Sequence, residues 1–486
     1  MNIKNSFSIK YSVIGFAIYI NLFLCISGFS QSDSLSVYLE LAAKNNPTVL
    51  QKYNEYQAAL QKVPQVGSLA DPELSIGVFL SPMELVSGNQ VADIRLMQMF
   101  PWFGVLENAK DEMSLMAKAK YETFRDAKLQ VFYDVQRTWY ELYRIQQNIN
   151  ISEKNIEILR AIERISLAKF KTTPSGGSGS SSSSGNMSNS NSQNISSASS
   201  AMQTMGGNLT SNSSITSNQP PTALPSNSMG ASAGGSGLAD VYRIQMDMGE
   251  LENSIALLQN QQNTTVARFN SILNRPVKSI VSLPDTLKQD TLGVSLLIVS
   301  DSMLSNNPML GMLKYEQQSL EARTKMVARM GYPMIGLGLN YSLIKKNPMS
   351  TSKMNGKDMI MPMVTITLPI YRKKYNTMQT EAELMKTATA NGYTATANSL
   401  QTEYYEAMQL YLDAQRRIKL YENQSLLANN SLDIMIKSFS ASGSSLTDIL
   451  RIRQQTLDYE FKQVEAVVDY NTAIAWLRRL GNLGKQ

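Results

Sequence analysis

Methionine carries the most distinctive chemistry in this chain. There are 27 methionines in 486 residues. Nine of them (Met83, Met97, Met99, Met334, Met349, Met354, Met359, Met361 and Met363) flank or line stretches that alternate apolar and polar residues. A thioether is a soft, neutral donor that binds Cu(I) or Ag(I) and avoids hard cations. It is also an adaptable packing group and a good helix former, and that plainer role stands beside the first. Met361 and Met363 alternate with Val364, Ile366 and Leu368, so a strand turns the two thioethers away from the aliphatic side. Met202 and Met205 form too weak a pattern to define a site. The other reactive types are scarce. There is no His, which removes the usual general base and the commonest zinc ligand. The single Cys, Cys25, sits in an apolar N-terminal run, leaving the body of the chain without disulfides or Cys-based metal sites. Asp, Glu and Lys stand at helix-face spacings that suit solvated surfaces and inter-helix pairs. The chain therefore reads as a non-enzyme, with no catalytic residues, no metal centre and no cofactor.

Charge and targeting narrow the class further. Lys and Arg total 45 against 39 Asp and Glu, a formal net charge of +6. No basic run of the nucleic-acid type is present, so no nucleic-acid partner is expected. Residues 1–30 read as an export signal: Lys4 and Lys10, an apolar run over 11–26, then Gly28-Phe29-Ser30 before Gln31. Lipidation at Cys25 would want a small residue where Leu24 stands. No later segment offers 18 consecutive apolar residues. An exported chain of this kind either stays in solution or crosses a membrane as β-strands.

The body of the chain is a twofold repeat. Asn45-Asn46-Pro47 recurs as Asn306-Asn307-Pro308, Phe100-Pro101 as Leu368-Pro369, and Leu238-Ala239-Asp240-Val241-Tyr242-Arg243-Ile244 as Leu446-Thr447-Asp448-Ile449-Leu450-Arg451-Ile452. The spacing agrees as well: Asp240 to Asn274 and Asp448 to Asn482 are both 34 positions. One interval differs. Residues 174–236 have no counterpart, contain no charged or aromatic residue, and are dominated by Ser, Gly and Asn. Such a segment cannot bury enough apolar surface to offset chain entropy and is expected to be a disordered insert.

Each repeat predicts the same order of elements: helix, two strands, a very long helix, a turn and a return helix. The first repeat spans 31–278, with a helix over 34–62, a β-hairpin over 73–99, a long helix over 105–172 and a return helix over 238–275. A linker follows at 279–294. The second repeat, 295–486, has its hairpin at 334–368, long helix at 372–439 and return helix at 445–482. Polar loops are expected at 81–90 and 345–358. The absence of Pro between Pro101 and Pro174 permits an uninterrupted helix of about 100 Å. That is too long for one globular core, so it must lie along other helices as a coiled coil. The fold class is mainly α with a small β part. Four strands cannot close a barrel, and open edges are not tolerated in lipid, so three copies sharing a twelve-stranded barrel are expected.

With these features the chain resembles the TolC-type outer-membrane efflux factors over nearly all of its length beyond the leader. The resemblance is carried by the repeat, by Asp71-Pro72-Glu73-Leu74, by Gln98-Met99-Phe100-Pro101-Trp102-Phe103-Gly104, and by Gly443 with Leu446-Thr447-Asp448-Ile449-Leu450. It implies a homotrimer in outer-membrane lipid, extending into the periplasm. It also implies docking onto a periplasmic membrane-fusion adaptor that serves an inner-membrane pump of the resistance-nodulation-division type. Leu238, Asp240, Gly443, Leu446 and Asp448 would lie at the docking tip. Ser445 and Asp448 also fit a capping box, and Gly443 a tight turn. The Phe-Pro-Trp-Phe-Gly segment is similar to that of heavy-metal efflux members, which points to copper or silver as cargo. Multidrug or protein cargo through the same architecture, or a periplasmic coiled-coil scaffold, are the rival readings.

Overall fold

A computed structural model of the chain describes residues 35–172, 237–441 and 445–483. The leader with Cys25, the 174–236 insert and Gly443 lie outside the described residues. The chain divides into two compact units, Met1–Ile156 with Glu250–Gln486, and Glu157–Gly249.

The helix expected over 34–62 is two helices, α1 (Leu35–Asn45) and α2 (Pro47–Val66). The physical reason is Pro47. It has no N–H, and its ring drives Asn46 out of the helical region to φ −64°, ψ 123°. Asn46 then turns the break into a start: its Oδ1 accepts hydrogen bonds from Thr48 N and Val49 N at 2.9 and 3.2 Å. The second repeat does the same between α5 (Leu296–Asn306) and α6 (Pro308–Met330), where Asn307 Oδ1 accepts from Met309 N at 2.9 Å. The two asparagines share a second task. Asn46 Nδ2 donates to the carbonyl of Ile272 at 2.8 Å, and Asn307 Nδ2 to that of Leu480 at 3.2 Å. Ile272 and Leu480 are the last residues of the return helices α4 (Gly237–Ile272) and α8 (Leu446–Leu480). Each Asn therefore caps one helix and satisfies an orphan carbonyl at the end of another. Just beyond those ends, Asn274 and Asn482 both adopt φ 51°, the left-handed conformation that Asn tolerates.

The long helices are α3 (Val105–Thr172) and α7 (Arg372–Ser440). At 69 residues α7 is about 100 Å long. Within the larger unit the core lies where α1, α3, α4 and α8 meet. Tyr38, Val135, Leu142, Phe269, Leu273 and Ala475 are buried there, with the Tyr38 and Phe269 rings edge-on at 5.1 Å. A second core joins Val299, Met303 and Leu310 to Leu400, Ala407 and Leu477. The 279–294 stretch is not a loose tether. Val281, Leu283 and Leu287 pack against the first core, and Tyr38 and Tyr143 accept hydrogen bonds from Ser282 N and Leu287 N. Arg478 pairs with Asp290, and Asn471 holds Asp290 N and Lys288 O.

In the smaller unit, Val241 and Ile244 of α4 and Leu159 and Ile162 of α3 are buried, and Gln245 donates to Glu163 at 2.8 Å.

The four strands are β1 (Glu73–Leu85), β2 (Gly88–Phe100), β3 (Met334–Lys345) and β4 (Met359–Thr367). They form one antiparallel sheet in the order β1-β2-β3-β4. The strands run through most of the loop expected at 81–90, leaving only Val86 and Ser87 as the turn. Pro82 is accommodated by an irregularity in the register between Val78 and Met83, where its missing N–H breaks no ladder bond. Gly88 closes the turn at φ 121°, and a Cβ there would stand 2.6 Å from the Lys345 carbonyl. β2 and β3, from different repeats, pair from Phe100↔Ile335 to Asn89↔Lys345, which welds the two hairpins into one surface.

Candidate functional site

The sheet sorts its side chains into two unlike faces. One face carries, row by row, Phe100, Ile335 and Ile366; Gln98, Leu337 and Val364; Leu74, Leu96, Leu339 and Pro362; Ile76, Ile94, Tyr341 and Ile360; and Val78, Ala92 and Leu343, so Gln98 is its one amide side chain. Most of these side chains are left exposed: Ile76 is 65% exposed, and Val78 and Val364 are both 68% exposed. An apolar sheet face of this extent, left bare, is what a lipid-facing barrel wall presents. The other face carries Glu73, Ser75, Asp93, Arg95, Asn340, Ser342 and Thr365, with Gly336 and Gly338. At about 3.4 Å per residue, β1 to β3, of 12 or 13 residues, exceed 40 Å and the nine-residue β4 reaches about 31 Å, lengths with which a tilted strand can cross a bilayer. The outer edges of β1 and β4 are unpaired among the described residues.

Both rims have their own chemistry. At the helix side, Trp102 stacks on Tyr332 at 5.4 Å, and Phe103 and Tyr371 are largely exposed. Aromatic girdles of this kind mark the edges of a membrane barrel. At the far side, residues 346–358 fold over the first hairpin: Ser350 Oγ donates to Val86 O, Gly356 N donates to Ser87 O, and Asn355 Nδ2 donates to Asn347 O and Ser350 O.

The helix-end residues separate on inspection. Leu238 is 41% exposed and Asp240 half-buried, in the first turn of α4. Their counterparts differ: Leu446 is 3% exposed, and the Asp448 carboxylate lies 3.6 Å from Arg451. The capping box expected there is only half built. Ser445 Oγ accepts from Thr447 N at 3.3 Å, two residues on, while the Asp448 carboxylate points to Arg451 instead of back to the Ser445 amide. Along the helices, burial pushes the Glu112 carboxyl upward, opposed by Arg323. Burial does the same at Asp126, opposed by Arg479.

Among the described residues no helix is long and apolar enough to cross a membrane, and no group of three or more His, Cys, Asp or Glu side chains is gathered for a metal. The sequence missed two features of the sheet. One is the pairing of Trp102 with Tyr332, 230 positions apart, for which the aromatic content of each rim segment was the available signal. The other is the alignment of Gly336 with Met99 and of Gly338 with Met97 and Met363, which needs the register.

The chain is thus a repeat of long helices joined to one four-stranded antiparallel sheet that is bare and mainly apolar on one face. No protein-family model and no curated protein match the chain. Solved structures do. The outer-membrane channel OprN superposes with a TM-score of 0.68 at 12% identity, over 93% of this chain and 90% of its own. The Campylobacter jejuni CmeC outer-membrane channel gives 0.66 at 13%, over 92% and 85%. The outer-membrane protein VceC of Vibrio cholerae gives 0.65 at 12%, over 92% and 96%. These are TolC-type outer-membrane efflux channels, and this chain has their fold.

Proposed function

We propose that the chain is one third of an outer-membrane duct that extends into the periplasm and conducts passively, with no catalysis of its own. The observation that carries this is the sheet: one bare aliphatic face, one polar face and two unpaired edges. In lipid, every strand edge must find a partner, and three four-stranded sheets make a twelve-stranded barrel wide enough for water. The partners on this reading are two identical chains, a periplasmic membrane-fusion adaptor, and an inner-membrane pump of the resistance-nodulation-division type that supplies the energy. Leu238, Asp240, Gly443, Leu446 and Asp448 are the residues that would serve adaptor docking, with Leu238 exposed and Leu446 buried. Soft heavy-metal ions such as copper and silver are the cargo favoured by the methionine-rich strands. Multidrug or protein cargo is the rival.

The test is conductance and assembly. Purified protein in detergent should run as a heat-modifiable trimer and give discrete conductance steps in a planar bilayer. A water-soluble monomer that conducts nothing refutes the proposal. Deleting the gene should lower copper or silver tolerance and spare detergent and antibiotic tolerance; the reverse pattern removes the metal cargo and leaves the duct.

A further inference from the structure

The register of the sheet puts Met97, Met99, Met334, Met359, Met361 and Met363 all on the polar face, and none of these six on the aliphatic face. If methionine were only an interchangeable aliphatic here, the bare aliphatic face would be its natural place. The arrangement around β3 is more specific. Met97, Gly338 and Met363 form one row across three strands, and Met99, Gly336 and Thr365 form the row beside it. Neighbouring strands are about 4.8 Å apart, so the backbones of Met97 and Met363 stand about 10 Å apart with only glycine hydrogens between them.

The two glycines are occupied from above. A Cβ on Gly336 would stand 2.6 Å from Met99 Sδ, and one on Gly338 would stand 3.1 Å from the Leu96 carbonyl and 3.6 Å from Met363 Cε. Glycine inside a strand costs stability and often marks the close approach of another group. Here it makes a trough in the sheet, floored by Gly336 and Gly338, into which thioethers reach from β2 and β4. The next row is Arg95, Asn340 and Met361. Asn340 is buried, and its Oδ1 accepts no hydrogen bond. On the same face, Glu73 and Asp93 outnumber Arg95, so the local charge does not repel a cation.

We infer that Met99 and Met363, which lie over Gly336 and Gly338, together with Met97 in the row of Gly338, form a binding site for a soft monovalent cation, Cu(I) or Ag(I), on the polar side of the sheet. Thioether sulfur selects such ions over hard ones. This deepens the duct reading by giving its cargo a foothold inside the wall, and it rests on that reading only for which side of the sheet is the bore.

The probe is Ag(I) titrated into the purified full-length protein in detergent, with Zn(II) and Na(I) as hard or borderline competitors. The parent should bind Ag(I) in preference to both. The triple variant M97L/M99L/M363L keeps shape and hydrophobicity and should lose affinity at least tenfold, whereas M246L/M385L, on the helices, should match the parent. Should the triple variant fail to assemble, M363L alone should weaken binding at least threefold. Ag(I) affinity unchanged in the sheet variants, or reduced equally in the helix variant, overturns the site. Planar-bilayer conductance of the parent separates the two claims. A conducting protein whose Ag(I) affinity ignores these methionines loses the site and keeps the duct. A non-conducting protein whose affinity depends on them keeps the site and loses the duct.

Discussion

Placing a charge on the bare face of the sheet separates a wall in lipid from a sheet in water. Ile76 lies in the middle rows, paired with Ile94 in a row that continues through Tyr341 to Ile360. Its side chain is 65% exposed and packs on little protein. In water, Ile76→Lys would remove a half-exposed apolar group and change stability by no more than about 0.5 kcal/mol. Facing the bilayer midplane, the same lysine costs about 2–4 kcal/mol, or about 6–12 kcal/mol over three copies in one barrel. Ser75, one position earlier, points to the polar face opposite Arg95. Ser75→Lys should cost only the repulsion of facing like charges, about 0.2–1 kcal/mol per copy. The assay is the heat-resistant folded fraction recovered from outer-membrane extracts, with the denaturant midpoint of the purified protein beside it. I76K should be strongly depleted and S75K close to the parent. Equal recovery of both variants, or loss of S75K with I76K spared, refutes the assignment of the faces.

Asn46→Ala and Asn307→Ala each remove a helix cap and leave a return-helix carbonyl without its partner; each should destabilise by about 1–2 kcal/mol, read as a lower denaturant midpoint, and similar losses are expected because the two sites are twins. Gly88→Ala forces a Cβ to 2.6 Å from Lys345 O at φ 121°; the turn must shift, and recovery of folded protein should fall, whereas Ser87→Ala, beside it, should be tolerated. Glu112 has its carboxyl pushed above the ordinary 4.5 by burial. The folded state therefore holds this proton more tightly than the unfolded state, and stability from the group is lost as pH rises through the raised value. Glu112→Gln should melt higher than the parent at neutral pH, and the gap should close on acidification below pH 4.5; a gap that widens in acid would contradict the sign.

What is legible in sequence here is local. The bounds of α3 follow from the stretch without proline, and the two faces of β3 and β4 follow from strict alternation, because helix and strand periods are set by neighbours a few residues apart. The duplication follows from recurring segments, and the twin Asn caps at the ends of α1 and α5 show it to be structural. The break at Asn46 was also within reach, since proline dictates it without any tertiary contact.

Other features depend on contacts between residues far apart in the chain, and these only the tertiary structure decides. The weld of β2 to β3 joins residues about 250 positions apart, and no local preference chooses that partner or its register. The register in turn places Gly336 under Met99 and Gly338 between Met97 and Met363. Strand pairing also carries β1 past Pro82, where composition alone reads as loop. Leu238 and Leu446 occupy matching places in the repeat, yet one is exposed and the other buried. Burial belongs to the surroundings a residue meets after folding, and duplicated sequence does not guarantee duplicated surroundings.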